Sequence, residues 1–273
     1  MTRTTWIQTL GSNGKGGKFD PTDPKPEDVD FAVIARVLAR TPRFGGHTNQ
    51  GVYSVAQHCV EGARSLLREV NVLDRLQGQE RGAQQRWAAA TAFLLHDAHE
   101  AYIGDIATPV AESLAFLANG VYPHVDGAYI VKFAIHALKG RLDEAIYGAA
   151  GVAWPLAPEV ASLVKQIDVR MCRTERDARM ATPPGEWDEA IEAAEPVPGV
   201  DLSMWSEDEA AGAWLDMARE LLPSLRTESE WPGMYVDVGE FGSDPDKTAR
   251  EVVEGADVPT EIDNWYFRSG SGS

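Results

Sequence analysis

The stretch Phe93-Leu94-Leu95-His96-Asp97-Ala98-His99-Glu100 decides how this chain is read. The alanine- and leucine-rich run that leads into it from about Arg86 has the composition of a buried helix, and its pattern continues to Tyr102, where Gly104 closes it. Imidazoles and carboxylates crowd into the end of that helix, a density of ligating side chains that points to a cation and to hydrolytic chemistry. On a continuous helix His96 and Glu100 share one face, while Asp97 points about 100° away. A cation lying against His96 and Asp97 leaves Glu100 facing an adjoining cavity, where it can act on water or substrate.

Two further ligands have to come from other helices. His58 and Asp168 are the best candidates, because each lies within an otherwise apolar helical run where an unpaired polar group is costly. Two imidazoles and two carboxylates suit a divalent transition ion (cobalt, manganese, zinc or iron) better than calcium or magnesium alone, with magnesium still admitted. Taken singly, a helical His is more often a hydrogen-bonded core residue, and an Asp a solvated face or a cap. Four such positions together are harder to read that way.

Outward from this segment the chain reads as all-α. Trp6 to Leu10, the Gly-rich stretch 11–17 and Lys18-Phe19 form a short hairpin or ordered arm. The Gly-Lys pairs fail the Walker spacing, so this is a turn and not a phosphate loop. Pro21, Pro24 and Pro26 make a rigid connector, and Asp30 caps a helix carrying Phe31, Val33, Ile34, Val37 and Leu38 that ends at Thr41-Pro42. A second helix starts at about Ser54, with Val55, Cys59, Ala63, Leu66 and Leu67 on one stripe and His58 beside it. Residues 111–150 read as helix with an interruption around 120–127. After the stiff turn Trp154-Pro155-Leu156-Ala157-Pro158, a helix from Glu159 carries Val160, Leu163, Val164, Ile167, Met171 and Thr174. Ser206-Glu207-Asp208-Glu209 is a capping box that opens a last helix with Ala213, Trp214, Met217, Leu221 and Leu222.

Beyond Thr227 the composition turns acidic and rich in Gly and Pro, with scattered Trp231, Tyr235, Trp265 and Phe267. This tail is expected to pack as an extended arm or to be partly disordered, and its last five residues resemble an expression linker. The boundaries are thus an arm over 1–26, a helical domain over 27–226 and an acidic tail over 227–273.

Composition narrows the function classes. With 273 residues and 44% hydrophobic content, there is ample material for a core. A formal charge of -17 argues against a protein that neutralises a nucleic-acid backbone, so no nucleic-acid partner is expected. A small anionic substrate remains compatible where a metal and a few arginines make the pocket locally positive. Two cysteines, Cys59 and Cys172, allow neither a disulfide framework nor a CxxC zinc site. No signal-peptide core or membrane-length apolar run is present, so a soluble cytoplasmic protein without a membrane partner is expected.

His58, the pair His96-Asp97 and the later Asp168 resemble the pattern of the HD-domain metal-dependent phosphohydrolases, an all-helical superfamily. The flanking text is more specific: Arg43-Phe44-Gly45-Gly46-His47-Thr48, then Tyr53-Ser54-Val55-Ala56-Gln57-His58, then Leu94 through Asp105. It is similar to the bacterial and phage branch that contains 5'-deoxynucleotidases and deoxynucleoside triphosphate triphosphohydrolases, over about residues 27–182. The resemblance implies an HD-domain helical bundle in a bacterial or phage-infected cytoplasm, with His58, His96, Asp97 and Asp168 holding a divalent ion. It implies that Glu100 is the catalytic carboxylate acting on the attacking water. Asp105 matches an acidic residue near the sugar, and Arg43 one that grips phosphate. Phe44 stands where the characterised nucleotidases often carry Trp, and Trp154 is a candidate wall of the nucleoside pocket. The implied substrate is a (deoxy)nucleotide, cleaved to phosphate or to triphosphate, and relatives of this kind are often homo-oligomers.

Should a second metal bind, His47, His99 and Glu100 are the places to look, while Tyr53 and Gln57 are candidates to support His58. Two other classes compete. A metal-bound nucleotide sensor that has lost catalysis has no need of Glu100 and Asp105. An HD-type nuclease or cyclic-dinucleotide phosphodiesterase is disfavoured by the acidic charge and by the lack of a Gly-Tyr-Pro segment after His96-Asp97.

Overall fold

The computed structural model describes residues 5–11, 15–77, 80–121 and 126–225, without side-chain detail over 69–81. The described chain is helical apart from an N-terminal hairpin, β1 (Ile7–Thr9) and β2 (Gly17–Phe19), paired antiparallel with Ile7 opposite Phe19. Residues 1–4, 12–14, 78–79 and 122–125, and the tail from 226 onward with Trp231, Tyr235, Trp265 and Phe267, lie outside the described residues.

Helix α1 (Phe31–Arg40) starts where Asp30 accepts hydrogen bonds from the amides of Ala32 and Val33, a cap worth about 1 kcal/mol. Its Phe31, Ile34, Ala35 and Leu38 recur at helical spacing and are buried. Helix α2 (Val55–Gln77) and helix α3 (Glu80–Leu95) form a closely packed antiparallel pair. Gly62 permits the approach, since a Cβ there would collide with the ring of Phe93.

The apolar helix ends sooner than its composition implies. Helix α3 stops at Leu95, residues 96–99 form turns, and a short α4 (Glu100–Ile103) follows. The reason is visible in the backbone: the amides of Ala98, Glu100, Ala101 and Tyr102 each bond the carbonyl three residues back. Such tightening is the usual finish of an α-helix. Gly104, at φ 75°, then turns the chain away, and Phe19 of β2 stacks on Tyr102 of α4 with ring centroids 3.8 Å apart.

Helices α5 (Thr108–Val121) and α6 (Gly127–Ala150) pack against each other, and α6 ends on left-handed Gly151. Helix α7 (Pro158–Arg179) buries Val164, Ile167, Met171 and Glu175 along one stripe, and α8 (Glu189–Ala193) is tied to it by ion pairs of Arg173 and Arg176 with Glu192. Helix α9 (Glu207–Leu221) opens with the capping box of Ser206 and Glu209 and inserts Trp214 into the core against α1, α2 and α3. The hairpin, α1, α2, α3, α6, α7 and α9 all contribute to one apolar core. Among the described residues, no helix is long and apolar enough to cross a membrane.

Candidate metal centre

Two helices and the turn that ends α3 bring the candidate ligands together, with His58, His96 and Asp97 in a tight group and Asp168 at its edge. His58 sits in the first turn of α2, His96 and Asp97 in the turn that ends α3, and Asp168 midway along α7. His58 Nε2 lies 3.3 Å from His96 Nε2 and 3.6 Å from Asp168 Oδ1. Asp97 Oδ2 stands 3.1 Å from His96 Nε2 and 3.8 Å from His58 Nε2. Asp168 Oδ1 is 3.9 Å from His96 Nε2. Donors bound at roughly 2.0–2.2 Å to one ion, at tetrahedral or octahedral angles, are themselves separated by roughly 3 to 3.6 Å, close to these spacings.

The outer nitrogens of both imidazoles are already engaged. His58 Nδ1 donates to Glu175 Oε1 at 2.7 Å, and His96 Nδ1 donates to the carbonyl of Phe93 at 2.6 Å. A carboxylate and a carbonyl accept only, so each ring carries its proton on Nδ1 and turns an Nε2 lone pair inward. Two ring nitrogens 3.3 Å apart, with two carboxylate oxygens beside them, call for positive charge among them, supplied by a metal ion or, without one, by a proton that His96 Nε2 shares with Asp97. This donor set, together with the fixed tautomers, fits a divalent ion. Burial opposes charge on His96, and the adjacent Asp97 more than reverses it, drawing the ring well towards its cationic form. Burial likewise works against ionised Asp97, yet His96, His58 and Arg43 hold that carboxyl well below its usual range.

Arg43 is positioned by main-chain bonds. Pro42 and Ser54 form a β-bridge, and the amide of Arg43 donates to Tyr53 O, so the loop between α1 and α2 closes beside His58. Inside that loop Phe44 takes up φ 57°, followed by left-handed Gly45 and Gly46. A non-glycine residue in that region is strained and persists only where its surroundings fix it. The Arg43 guanidinium places Nη1 3.4 Å from Asp97 Oδ2 and Nε 2.9 Å from Glu175 Oε2, the latter an ion pair without aligned hydrogen-bond geometry. The Phe44 ring packs under the Arg43 guanidinium and edge-on to Trp187.

Glu100, 6% exposed at the start of α4, has an Oε2 with no hydrogen-bond partner. Burial, with Asp97 and Asp105 nearby, pushes its carboxyl well above the usual range. Asp105 follows α4 in the loop after Gly104, and burial and Asp97 raise it too, against the pull of Arg43 and Lys139. Glu100 and Asp105 therefore lie within electrostatic reach of Arg43 and Lys139. Trp154 packs its ring on Tyr147, whose hydroxyl donates to the carbonyl of Ala92 in α3, at the edge of the core.

Three participants were absent from the sequence reading. Glu175 is completely buried and joins His58, Tyr53 and Arg43 through its two oxygens. It lies seven residues after Asp168 on the same face of α7, a spacing that was legible but masked by the charged run Arg173 to Asp177. Lys139 of α6 acts electrostatically on both Glu100 and Asp105. Asp143, also on α6, bonds His99. Tyr53 reaches the centre through Glu175, whereas Gln57 uses its amide to hold the carbonyls of Asp201 and Ser203 and has a scaffold role. His47 is exposed in the loop. Both cysteines are free thiols; burial, partly offset by His96, raises Cys59 to about 11.

No family model matches the chain. An uncharacterized protein of Rhodobacter capsulatus is 29% identical over 213 residues, covering 77% of this chain and 94% of that relative.

Proposed function

We propose that this chain is an HD-type, metal-dependent phosphohydrolase that cleaves a (deoxy)nucleotide at its phosphate ester, releasing orthophosphate or triphosphate. The observation that carries the reading is the convergence of His58 Nε2, His96 Nε2, Asp97 Oδ2 and Asp168 Oδ1, with both Nδ1 atoms bonded outward. A divalent ion bound there supplies the positive charge that lowers the pKa of water and neutralises phosphoryl oxygens.

The chain's own groups supply the rest. Arg43 presents a fixed cationic fork at the edge of the ligand group, suited to a phosphate in so acidic a protein. Lys139 adds a second positive charge from α6. Glu100, free at Oε2 and outside the four ligands though close to Asp97, is the group placed to accept a proton from attacking water. Asp105, which acts electrostatically on Glu100, is the position that the resemblance sets near the sugar. Two carboxylates kept off the ligand set, facing an arginine and a lysine, favour turnover over a purely binding role.

The test is a panel of deoxynucleoside and ribonucleoside mono- and triphosphates, incubated with manganese, cobalt, zinc, iron or magnesium, with products separated by chromatography. Release of orthophosphate or triphosphate that stops on chelation is the expected result. Tight nucleotide binding without product under every ion would overturn the catalytic reading.

A further inference from the structure

Beside the primary ligand group, the turn ending α3 carries a second convergence built on His99, a residue that the proposed reaction leaves unused. His99 is 1% exposed, and its Nδ1 donates to Asp143 Oδ1 at 2.8 Å. Asp143, itself buried, projects from α6 and so fixes the ring from a different helix. A carboxylate on Nδ1 sets the tautomer and leaves an Nε2 lone pair, and that atom is buried with no hydrogen-bond partner. Glu100 Oε2, one residue on, is likewise buried and unpartnered. Ligating atoms of Asp97, His99 and Glu100 lie within 4.8 Å of one another.

The trio offers one imidazole lone pair and two carboxyl groups. His99 Nε2 and Glu100 Oε2 are buried and bond neither each other nor any neighbour, which leaves both polar atoms unmatched. A cation resolves both at once. We infer that Asp97, His99 and Glu100 form a second divalent-cation site adjoining the first, with Asp143 as the residue that orients His99.

One imidazole and two carboxylates select the same class of ion as the primary group, a manganese-, iron-, cobalt- or zinc-like divalent ion. Asp97 has two carboxylate oxygens, and through them it serves both groups. Three protein donors leave further positions to water or to a phosphoryl oxygen, which deepens the phosphohydrolase reading by adding a second point of charge on the substrate side. In the doubly loaded protein Glu100 is a ligand. The inference rests on the primary group only through the shared Asp97.

The test uses the full chain, stripped with chelator and then titrated with manganese alone, counting bound ions by equilibrium dialysis and recording the electron paramagnetic resonance spectrum. Two ions per chain with a spin-coupled spectrum are expected. His99→Phe, which keeps a ring but removes the donor, should hold one ion with an uncoupled spectrum. Asp143→Asn should weaken the second ion about 10- to 100-fold and leave the first. A wild-type chain that binds one ion, lost in His58→Ala, overturns the second site and leaves the primary one standing. A chain that binds none overturns both. Two coupled ions in His99→Phe would overturn the ligand assignment, and the wild-type count decides the matter even where that variant fails to fold.

Discussion

Glu175 holds His58 from behind: its Oε1 accepts from Nδ1 at 2.7 Å, and its other oxygen faces Arg43 at 2.9 Å. One buried carboxylate thus orients a metal-type imidazole and neutralises the arginine assigned to phosphate. Burial works against its charge, but Arg43, His58 and Tyr53 hold it below the usual carboxylate range.

Glu175→Gln removes the charge and keeps the shape. The expected result is a 10- to 100-fold loss of manganese affinity, measured by equilibrium dialysis, with little change in helicity. Glu175→Ala leaves Arg43 and His58 buried without a counter-charge and should cost about 3 to 5 kcal/mol in urea unfolding. Unchanged affinity in the Gln variant would remove Glu175 from the centre.

His58 and Glu100 should separate binding from turnover. His58→Ala is expected to lose the primary ion and all activity. Glu100→Gln is expected to keep the primary ion and lose turnover by at least about 100-fold, the lower end of what a positioned proton acceptor contributes. Full activity in Glu100→Gln would sink that role.

Gly62 lies one turn beyond His58, and the Phe93 ring it accommodates also lies against His58 and His96, with centroids 5.2 and 4.4 Å away. That ring has no room to retreat. Gly62→Ala should destabilise the fold by about 1 to 3 kcal/mol and weaken metal binding with it. A melting temperature equal to wild type would contradict the packing argument.

Lys139→Met tests the second cation of the proposed pocket. KM for the phosphorylated substrate should rise about tenfold, equivalent to about 1.4 kcal/mol, while kcat changes little. A fall in kcat at constant KM would assign Lys139 to the chemical step instead.

Glu192 gives a pH prediction away from the centre. Hydrogen bonds from Arg176 and the amide of Trp187 bring its carboxyl from the ordinary 4.5 down to about 2. A depressed carboxylate contributes stability that is present above the unfolded value and lost as pH falls through the folded one. The gap in urea midpoint between wild type and Glu192→Gln should therefore be full above pH 4.5 and close as the pH falls towards about 2. A gap that widens on acidification would refute the assignment.

The sequence exposed His58, His96, Asp97 and Asp168 because each interrupts or ends an apolar helical run, where a polar side chain demands a reason. The caps at Asp30 and Ser206 were equally plain, since they are local chemistry. Glu175 and Asp143 stayed hidden because the residues around them are charged or amphipathic, and a buried carboxylate there looks like a solvated one. The break of the helix after Leu95 was also invisible: no Gly or Pro marks it, and it is made by backbone tightening and the His96 bond to Phe93 O. Trp154 was ambiguous for a different reason: an aromatic in a turn reads alike as pocket wall or core, and its packing on Tyr147 is set by the fold.

The last helix bears on how the centre comes into being. All four primary ligands are present once Asp168 has been made, but α9 lies some forty residues further on, and its Trp214 packs against Phe31 of α1. Gln57 and Glu61, flanking His58 on α2, wait for the backbone of residues 201–203. On a ribosome that emits the chain N-terminus first, the faces of α1 and α2 that meet α9 therefore stay bare until residue 221 is free. The candidate ligands can be assembled early but are locked late, so on the proposed reading any metal uptake during synthesis is expected to follow completion of the bundle.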